Sequence, residues 1–302
     1  MSGLHNVCSV SDMSISEKVE ANLISFLDWG FVDKGGYVNI NINQSGAYVD
    51  NRSILEKYSD PRAPNVKMYK GTENWVYQTD TSSSPSPNIV PLVYVNNTLD
   101  MSPTINYRDG IVTPSINVPN NAVVKASYSY KWITFLSARK SYNTRRFNFR
   151  QNRTDLDDPN GKVLAEIQVP LPCVSVDVPA VSKSRPFGID RLGPRIYTFF
   201  VDLSIIGESA SEASRISDYI CVQQGTNFST FDPKLVVSAN DFPLNFDGTL
   251  NSAKNHQHLS EDYPWSTIYI EQAEAYSGSY IHQNIYESFV RLKLELVACF
   301  GC

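Results

Sequence analysis

The chain has 302 residues and a formal net charge of −5, with 19% charged and 12% aromatic residues. That balance excludes a disordered chain, which carries more charge and fewer aromatics. With Gly 15 and Tyr 17 it also excludes collagen-like and coiled-coil compositions. No run approaches the roughly 18 uninterrupted apolar residues of a membrane span, and the length fits about two domains or one large β-rich unit.

The N-terminus, MSGLHNVCSVSDMS, lacks a basic region followed by an apolar one, so no secretory signal is expected and synthesis is assigned to a reducing cytoplasm. The first helix is expected over 14–29. Ser14 and Glu17 form a capping box, and Ile15, Val19, Leu23, Phe26 and Leu27 follow the 3.6-residue period. The pattern stops at Gly30, and Gly35-Gly36 marks a turn. From Tyr37 to Asn43, Val38, Ile40 and Ile42 alternate with asparagines, the signature of a half-buried strand.

Residues 44–88 read as irregular, ending in the Ser/Pro-rich run 79–87 with linker chemistry. Residues 89–136 read as a compact antiparallel β module. It has a strand over Val90–Val95, a turn at Asn96-Asn97, a hairpin signal at Asp109-Gly110 and a strand over Ala122–Phe135. Residues 137–195 read as a basic, proline-rich arm. Residues 196–302 read as a strand from Arg195 to Ile206, a helix capped by Ser209 and Glu212, a loop-rich stretch at 225–262, and two strands over Trp265–Ala275 and Glu287–Phe300. The expected fold is therefore α+β and β-rich. It comprises an N-terminal helix, a small antiparallel sheet module and a C-terminal strand–helix–strand–strand unit with long extended arms, divided as 1–88, 89–136, 137–195 and 196–302.

Chemistry-bearing motifs are sparse. Phosphate-loop, dinucleotide-binding and nucleophile-elbow patterns do not occur, so no enzymatic role, catalytic residue or cofactor is expected. His256, His258, Glu261 and Asp262 offer a metal-like cluster, but their neighbours read as a polar loop. The run Asp155–Gly161 misses the register of a calcium loop. Cys8, Cys173, Cys221, Cys299 and Cys302 are scattered and odd in number, so no disulfide framework is implied, and Cys299-Phe-Gly-Cys302 closes a strand rather than opening a helix.

The stretch 138–153 is the one concentrated charge. Arg139, Lys140, Arg145, Arg146, Arg150 and Arg153 interleave with Tyr142, Phe147 and Phe149, and no acid intervenes. Charge alternating with rings suits a single-stranded nucleic-acid groove. It suits equally an interface arm whose arginines pair bidentately with a neighbouring subunit's carboxylates, and the acidic balance of the whole chain favours the protein interface.

Three segments carry a resemblance: FLDWGFVDKGGYVNININQSG at 26–46, GTENWVYQTD at 71–80, and the stretch 93–135 with Tyr107, Asp109-Gly110, Ala126, Tyr128, Ser129, Tyr130 and Lys131. Together, over about 14–136, they resemble a family of virion structural proteins of large contractile-tailed bacteriophages, myoviruses and notably cyanophages. The third resembles a module common in phage structural proteins. The resemblance implies a virion location and a neck, or head–tail connector, ring subunit joining portal or adaptor to tail. It implies a homo-oligomeric ring, contact with portal, adaptor, tail terminator or tail, and contact of the basic stretch with packaged DNA in a lumen. It implies no catalytic residues. Alternatives within a virion are a tail terminator, a baseplate protein or a capsid decoration protein; outside it, a β-rich carbohydrate-binding module or enzyme.

Overall fold

The computed structural model describes residues 13–42, 50–60, 63–138, 149–150, 169–181, 183–188, 194–282 and 284–298. It is mixed α+β and β-rich, as expected. Two compact units divide the chain: Trp29–Trp132 with Asn240–Asn255, and Met1–Asp28 with Ile133–Ala239 and His256–Cys302. These boundaries replace the four-segment division read from the sequence. Each unit draws on segments far apart in the chain, which no local composition shift marks.

The first helix, α1 (Ile15–Asp33), runs past Gly30 and contributes to both units. Its capping box forms in both directions: Ser14 N–H donates to Glu17 Oε2 at 2.7 Å, and Glu17 N–H donates to Ser14 Oγ at 3.3 Å. The periodic residues Val19, Leu23 and Leu27 are buried.

Among the described residues the smaller unit holds eight short strands in two four-stranded sheets. They are β1 (Tyr37–Ile40), β2 (Glu56–Tyr58), β3 (Met68–Lys70), β4 (Leu92–Val95), β5 (Thr98–Asp100), β6 (Thr104–Asn106), β7 (Ile111–Thr113) and β8 (Val124–Lys131). The orders are β1-β8-β4-β5 and β2-β3-β7-β6. So the region 44–88 supplies strands as well as loops. The Asn96-Asn97 turn takes positive φ at both residues, which fits a tight two-residue hairpin. Trp75, Tyr107, Tyr69 and Tyr128 fill the core between the sheets. Gly110 is required at its turn: φ is +65°, and a Cβ there would lie 2.2 Å from the Thr72 carbonyl oxygen.

The strand expected over 122–135 is broken at Trp132-Ile133. Its second half, β9 (Thr134–Ser137), belongs to the larger unit. That unit continues with β10 (Phe149–Arg150), β11 (Val169–Pro170), β12 (Cys173–Asp177), β13 (Lys183–Pro186) and β14 (Arg195–Gly207). It then holds α2 (Ala210–Cys221), β15 (Asn227–Phe231), α3 (Pro233–Ala239), α4 (His256–Asp262), β16 (Pro264–His282) and β17 (Ile285–Ala298). The seven-stranded sheet runs β15-β16-β17-β14-β12-β9, with β13 also paired to β14. The proline-rich 137–195 stretch is therefore not wholly an arm, since β12 and β13 are strands of this sheet. Likewise 225–262 is not simply loop: it contains β15, α3 and α4.

Strict alternation on β14 and β17 sorts one face inward. Phe199, Val201 and Leu203 align with Leu294, Leu292 and Val290, and all six are buried. Each such side chain contributes about 1.5–3 kcal/mol of burial. Helix α2 lies against β14, β16 and β17 and presents Ala213, Ile216 and Ile220 as its buried stripe. A buried hydroxyl pair, Ser217 Oγ to Ser288 Oγ at 2.8 Å, ties α2 to β17.

Candidate assembly surfaces

On the other face of the larger sheet Cys173, Ser175, Thr198 and Ile206 are buried, whereas Asp177, Asp202, Glu274 and Arg291 are exposed, and the register writes out a pattern among these. Across β16, β17, β14 and β12, Glu274, Arg291, Asp202 and Asp177 stand in one row. Arg291 grips Asp202 through two nitrogens, Nε to Oδ1 at 2.7 Å and Nη2 to Oδ2 at 3.0 Å, a planar fork-to-fork match. That bond raises the guanidinium pKa, and Tyr276, donating to Glu274 Oε2 at 2.8 Å, has its phenol pKa raised for the same reason. In the next row Tyr276 stands opposite Phe289, both exposed. Further along, Arg185 pairs with Glu295 at 3.2 Å and Lys293 with Glu271 at 2.6 Å. A charged sheet face with exposed rings at one end is suited to contact with another polar macromolecular surface.

The backbone edge of β16 is uneven. β15 pairs with its first part, Pro264 to Tyr269. From Gln272 to Tyr276 β16 keeps unbroken register with β17. On its outer side there, no strand of the described residues pairs with it, and Ala273 N–H donates to the Gln224 side chain at 3.3 Å.

The α1–β15–α4 corner gives His256 a different role from the metal ligand weighed in the sequence. The residues 256–262 form helix α4, and the His256 ring is buried between Phe26, Phe228 and Phe231 in edge-on contacts at 5.7–5.9 Å. Its Nε2 reaches the Ser229 carbonyl at 3.0 Å, whereas its Nδ1 is buried without a hydrogen-bond partner. Burial lowers its pKa to about 4, so the ring is neutral at pH 7. Among the described residues no group of three or more His, Cys, Asp or Glu is arranged to hold a metal ion.

In the smaller unit the β4–β5 hairpin sets Tyr94 opposite Leu99. Leu92 and Leu99 are exposed there, and Val90 and Met101 beside the hairpin are 78% and 80% exposed. Elsewhere in that unit the loop Asn240–Asn255 carries Phe246, fully exposed, on an ordered turn. Asp247 Oδ1 accepts from Thr249 N–H at 3.0 Å, and Tyr107 N–H donates to the Gly248 carbonyl at 2.9 Å. An aromatic ring held out on a rigid turn loses little entropy when a partner covers it.

Of the basic residues singled out in the sequence, Arg139, Lys140, Arg145, Arg146 and Arg153 lie outside the described residues. Arg150 lies on β10, whose backbone pairs in parallel with Val169–Pro170. β9 and β12, the strands of the larger sheet that precede and follow this stretch in the chain, are adjacent and parallel. Cys299 and Cys302, and the acidic run Asp155–Gly161, also lie outside the described residues. Sequence reasoning missed the Glu274–Arg291–Asp202 row, because it requires strand register. It also missed Phe246, whose Asn-Phe-Asp-Gly context is a turn signal that could have drawn attention to it.

Comparison with protein-family models finds no match for this chain, and comparison with curated proteins finds none either. Among the described residues no helix is long and apolar enough to cross a membrane.

Proposed function

We propose that the protein is a structural component of a contractile-tailed bacteriophage virion, a ring subunit at the neck that joins portal or adaptor to tail. The observation that carries this reading is where the resembling residues sit. Trp75 comes from the segment 71–80 and Tyr107, Gly110 and Tyr128 from the segment 93–135, and the two segments meet in one core: Trp75 stacks on Tyr128, stands edge-on to Tyr107 and closes over the Gly110 turn. Residues that cooperate in a single core are those a shared module must retain, so the likeness follows a folding unit and not isolated stretches.

The exposed surfaces support an assembly role. A ring subunit needs two different patches that complement each other and a further contact toward each axial neighbour. Charged rows and exposed rings on the larger sheet, Phe246 on its turn and the apolar β4–β5 hairpin offer such surfaces. The basic stretch at 139–153 is the proposed contact with a neighbouring subunit or with DNA in the lumen.

Purified virions and their sub-assemblies, examined by mass spectrometry and electron microscopy, test the reading. The expected result is the chain in intact particles at about six or twelve copies, the low number of a single closed neck ring. Copies in the hundreds would move it to head decoration, and recovery only from infected-cell lysate would overturn the virion role.

A further inference from the structure

In the smaller unit, the sheet β1-β8-β4-β5 turns Val93, Val95, Val124 and Ala126 into the core. The positions between them therefore face outward. Register sets Ile54 beside Lys125, Lys125 beside Tyr94, and Tyr94 beside Leu99. Adjacent strands stand about 5 Å apart, so this row is about 15 Å long. Ile54 and Leu99 are exposed, and so are Leu92, Val123 and Met101, each two residues along its strand from a member of the row. A contiguous apolar surface of this kind marks a contact site. At its centre is the half-buried Lys125, whose amine makes no hydrogen bond or ion pair among the described residues.

We infer that this face receives the Phe246-Asp247 turn of a second copy. The turn belongs to the same unit and holds the Phe246 ring fully exposed. It is fixed from both sides: Gly248 N–H donates to the Asn245 carbonyl at 3.0 Å, and Arg108 Nη1 donates to the Phe246 carbonyl at 3.4 Å. Asp247 uses Oδ1 for the Thr249 N–H and hydroxyl, at 3.0 and 2.6 Å, and its Oδ2 makes no hydrogen bond. One short turn thus offers an aromatic ring and, next to it, a carboxylate oxygen. The sheet face offers an apolar floor and, in its middle, an ammonium group. Seated there, the ring covers Leu92, Tyr94 and Leu99 while Asp247 reaches Lys125. A ring so placed buries about 150–250 Å², and the charge-assisted bond fixes its orientation.

The same charges disfavour the competing pairings. Two sheet faces joined about Lys125 would set ammonium against ammonium, and two turns would set carboxylate against carboxylate. Such repulsion is how an interface rejects the wrong partner. The contact joins two different patches, so it is head-to-tail and closes into a ring by rotation. One turn on one face falls short of the roughly 1,200 Å² that a stable pair buries. A single contact is therefore weak, and a closed ring holds because each copy makes two. The inference deepens the ring reading above and rests on it for the closure.

The test uses the full chain, mixed from isotopically heavy and light preparations at high micromolar concentration and treated with a zero-length carbodiimide cross-linker. Asp247–Lys125 peptides joining heavy to light chains are expected. Phe246→Ser should weaken self-association about tenfold or more in sedimentation, and so should Leu99→Ser with Lys125→Asn. Unchanged melting would establish that each variant folds, since surface substitutions contribute little to stability. Heavy Phe246→Ser retains the face, and the light double variant retains the turn. Their mixture should therefore yield one link only, light Asp247 to heavy Lys125. A wild-type chain that stays monomeric, links confined to chains of one isotope, or a mixture without that one link would overturn the contact. Links from Asp247 to a different virion protein would also overturn it, by giving the turn another partner. Virions that incorporate Phe246→Ser as well as wild type would remove the contact and keep the virion role. The expected links in a protein absent from virions would do the reverse.

Discussion

Trp75 and Tyr128 lie face to face in the smaller unit, ring centroids 4.1 Å apart and planes 12° from parallel. The two rings are separated by 53 positions along the chain but share one hydrogen-bonded corner. Trp75 Nε1–H donates to the Thr72 carbonyl at 2.5 Å, Thr72 N–H donates to Tyr128 Oη at 3.2 Å, and Tyr128 donates to the Arg52 carbonyl at 2.9 Å. A stacked pair adds about 0.5–1.5 kcal/mol beyond burial. Replacing Trp75 with Ala is expected to destabilise the smaller unit by about 3–5 kcal/mol. Chemical denaturation followed by circular dichroism would measure it, and a loss below about 1 kcal/mol would contradict this account of the core.

Asn22 on α1 acts as a backbone surrogate for β15. Its Oδ1 accepts from Phe231 N–H at 2.8 Å, and its Nδ2 donates to the Phe231 carbonyl at 2.9 Å. Asn22→Leu keeps the approximate size but leaves both backbone groups buried and unmet, at about 1–3 kcal/mol each. Hydrogen exchange should report the Phe231 amide losing protection ahead of the centre of β14. Protection equal to wild type would mean that the clamp is dispensable.

His256 predicts a specific acid sensitivity. Its pKa falls from 6.5 to about 4 on folding. Above pH 6.5 both states are neutral and the stability is fully present. As pH falls, the unfolded chain takes up the proton first, so stability is lost between about pH 6.5 and pH 4, by about 3 kcal/mol in total. His256→Gln should flatten the stability–pH curve in that window. Carboxylates with lowered pKa, such as Asp50 held by Arg52, act below it, because they lose stability as pH falls from 3.8 downward. A slope unchanged by the substitution would assign the acid sensitivity elsewhere.

Replacing Arg145 and Arg146 with Ala is expected to weaken assembly more than folding. Isolated surface charges contribute about 0–1 kcal/mol to stability, whereas arginines that pair bidentately with a neighbour's carboxylates or with phosphate carry contact energy. Sedimentation and thermal melting of the same sample separate the two effects. A large drop in melting temperature with assembly unchanged would reverse the assignment.

Local signals made some of this fold legible in the sequence. The capping boxes at Ser14 and Ser209 are visible because capping acts over three residues, and Ser209 Oγ does accept from Glu212 N–H at 3.2 Å. In the second box the Glu212 carboxylate turns instead to Glu208 N–H at 3.0 Å, a choice that spacing does not reveal. The alternation on β17 exposed its buried face directly, because strand side chains repeat every two residues. The same rule led astray at Ala122–Phe135, where one alternating run is shared between two units. Helix α4 was hidden because His256, Gln257, His258 and Ser260 have polar side chains, and only the packing of His256 and Leu259 gives it an inner face.

What the sequence determined by itself is what is set within a turn or two of chain: the α+β, β-rich class, the capped amphipathic helices α1 and α2 and the hairpin turns at Asn96-Asn97 and Asp109-Gly110. The tertiary structure decided which strands pair. Cys173–Asp177 joins β14, Asn240–Asn255 folds with residues 29–132, and Glu274, Arg291 and Asp202 fall into one row. Strand pairing joins backbone groups that every residue carries, across separations that leave no local mark, so register and edges emerge only when the whole sheet is assembled.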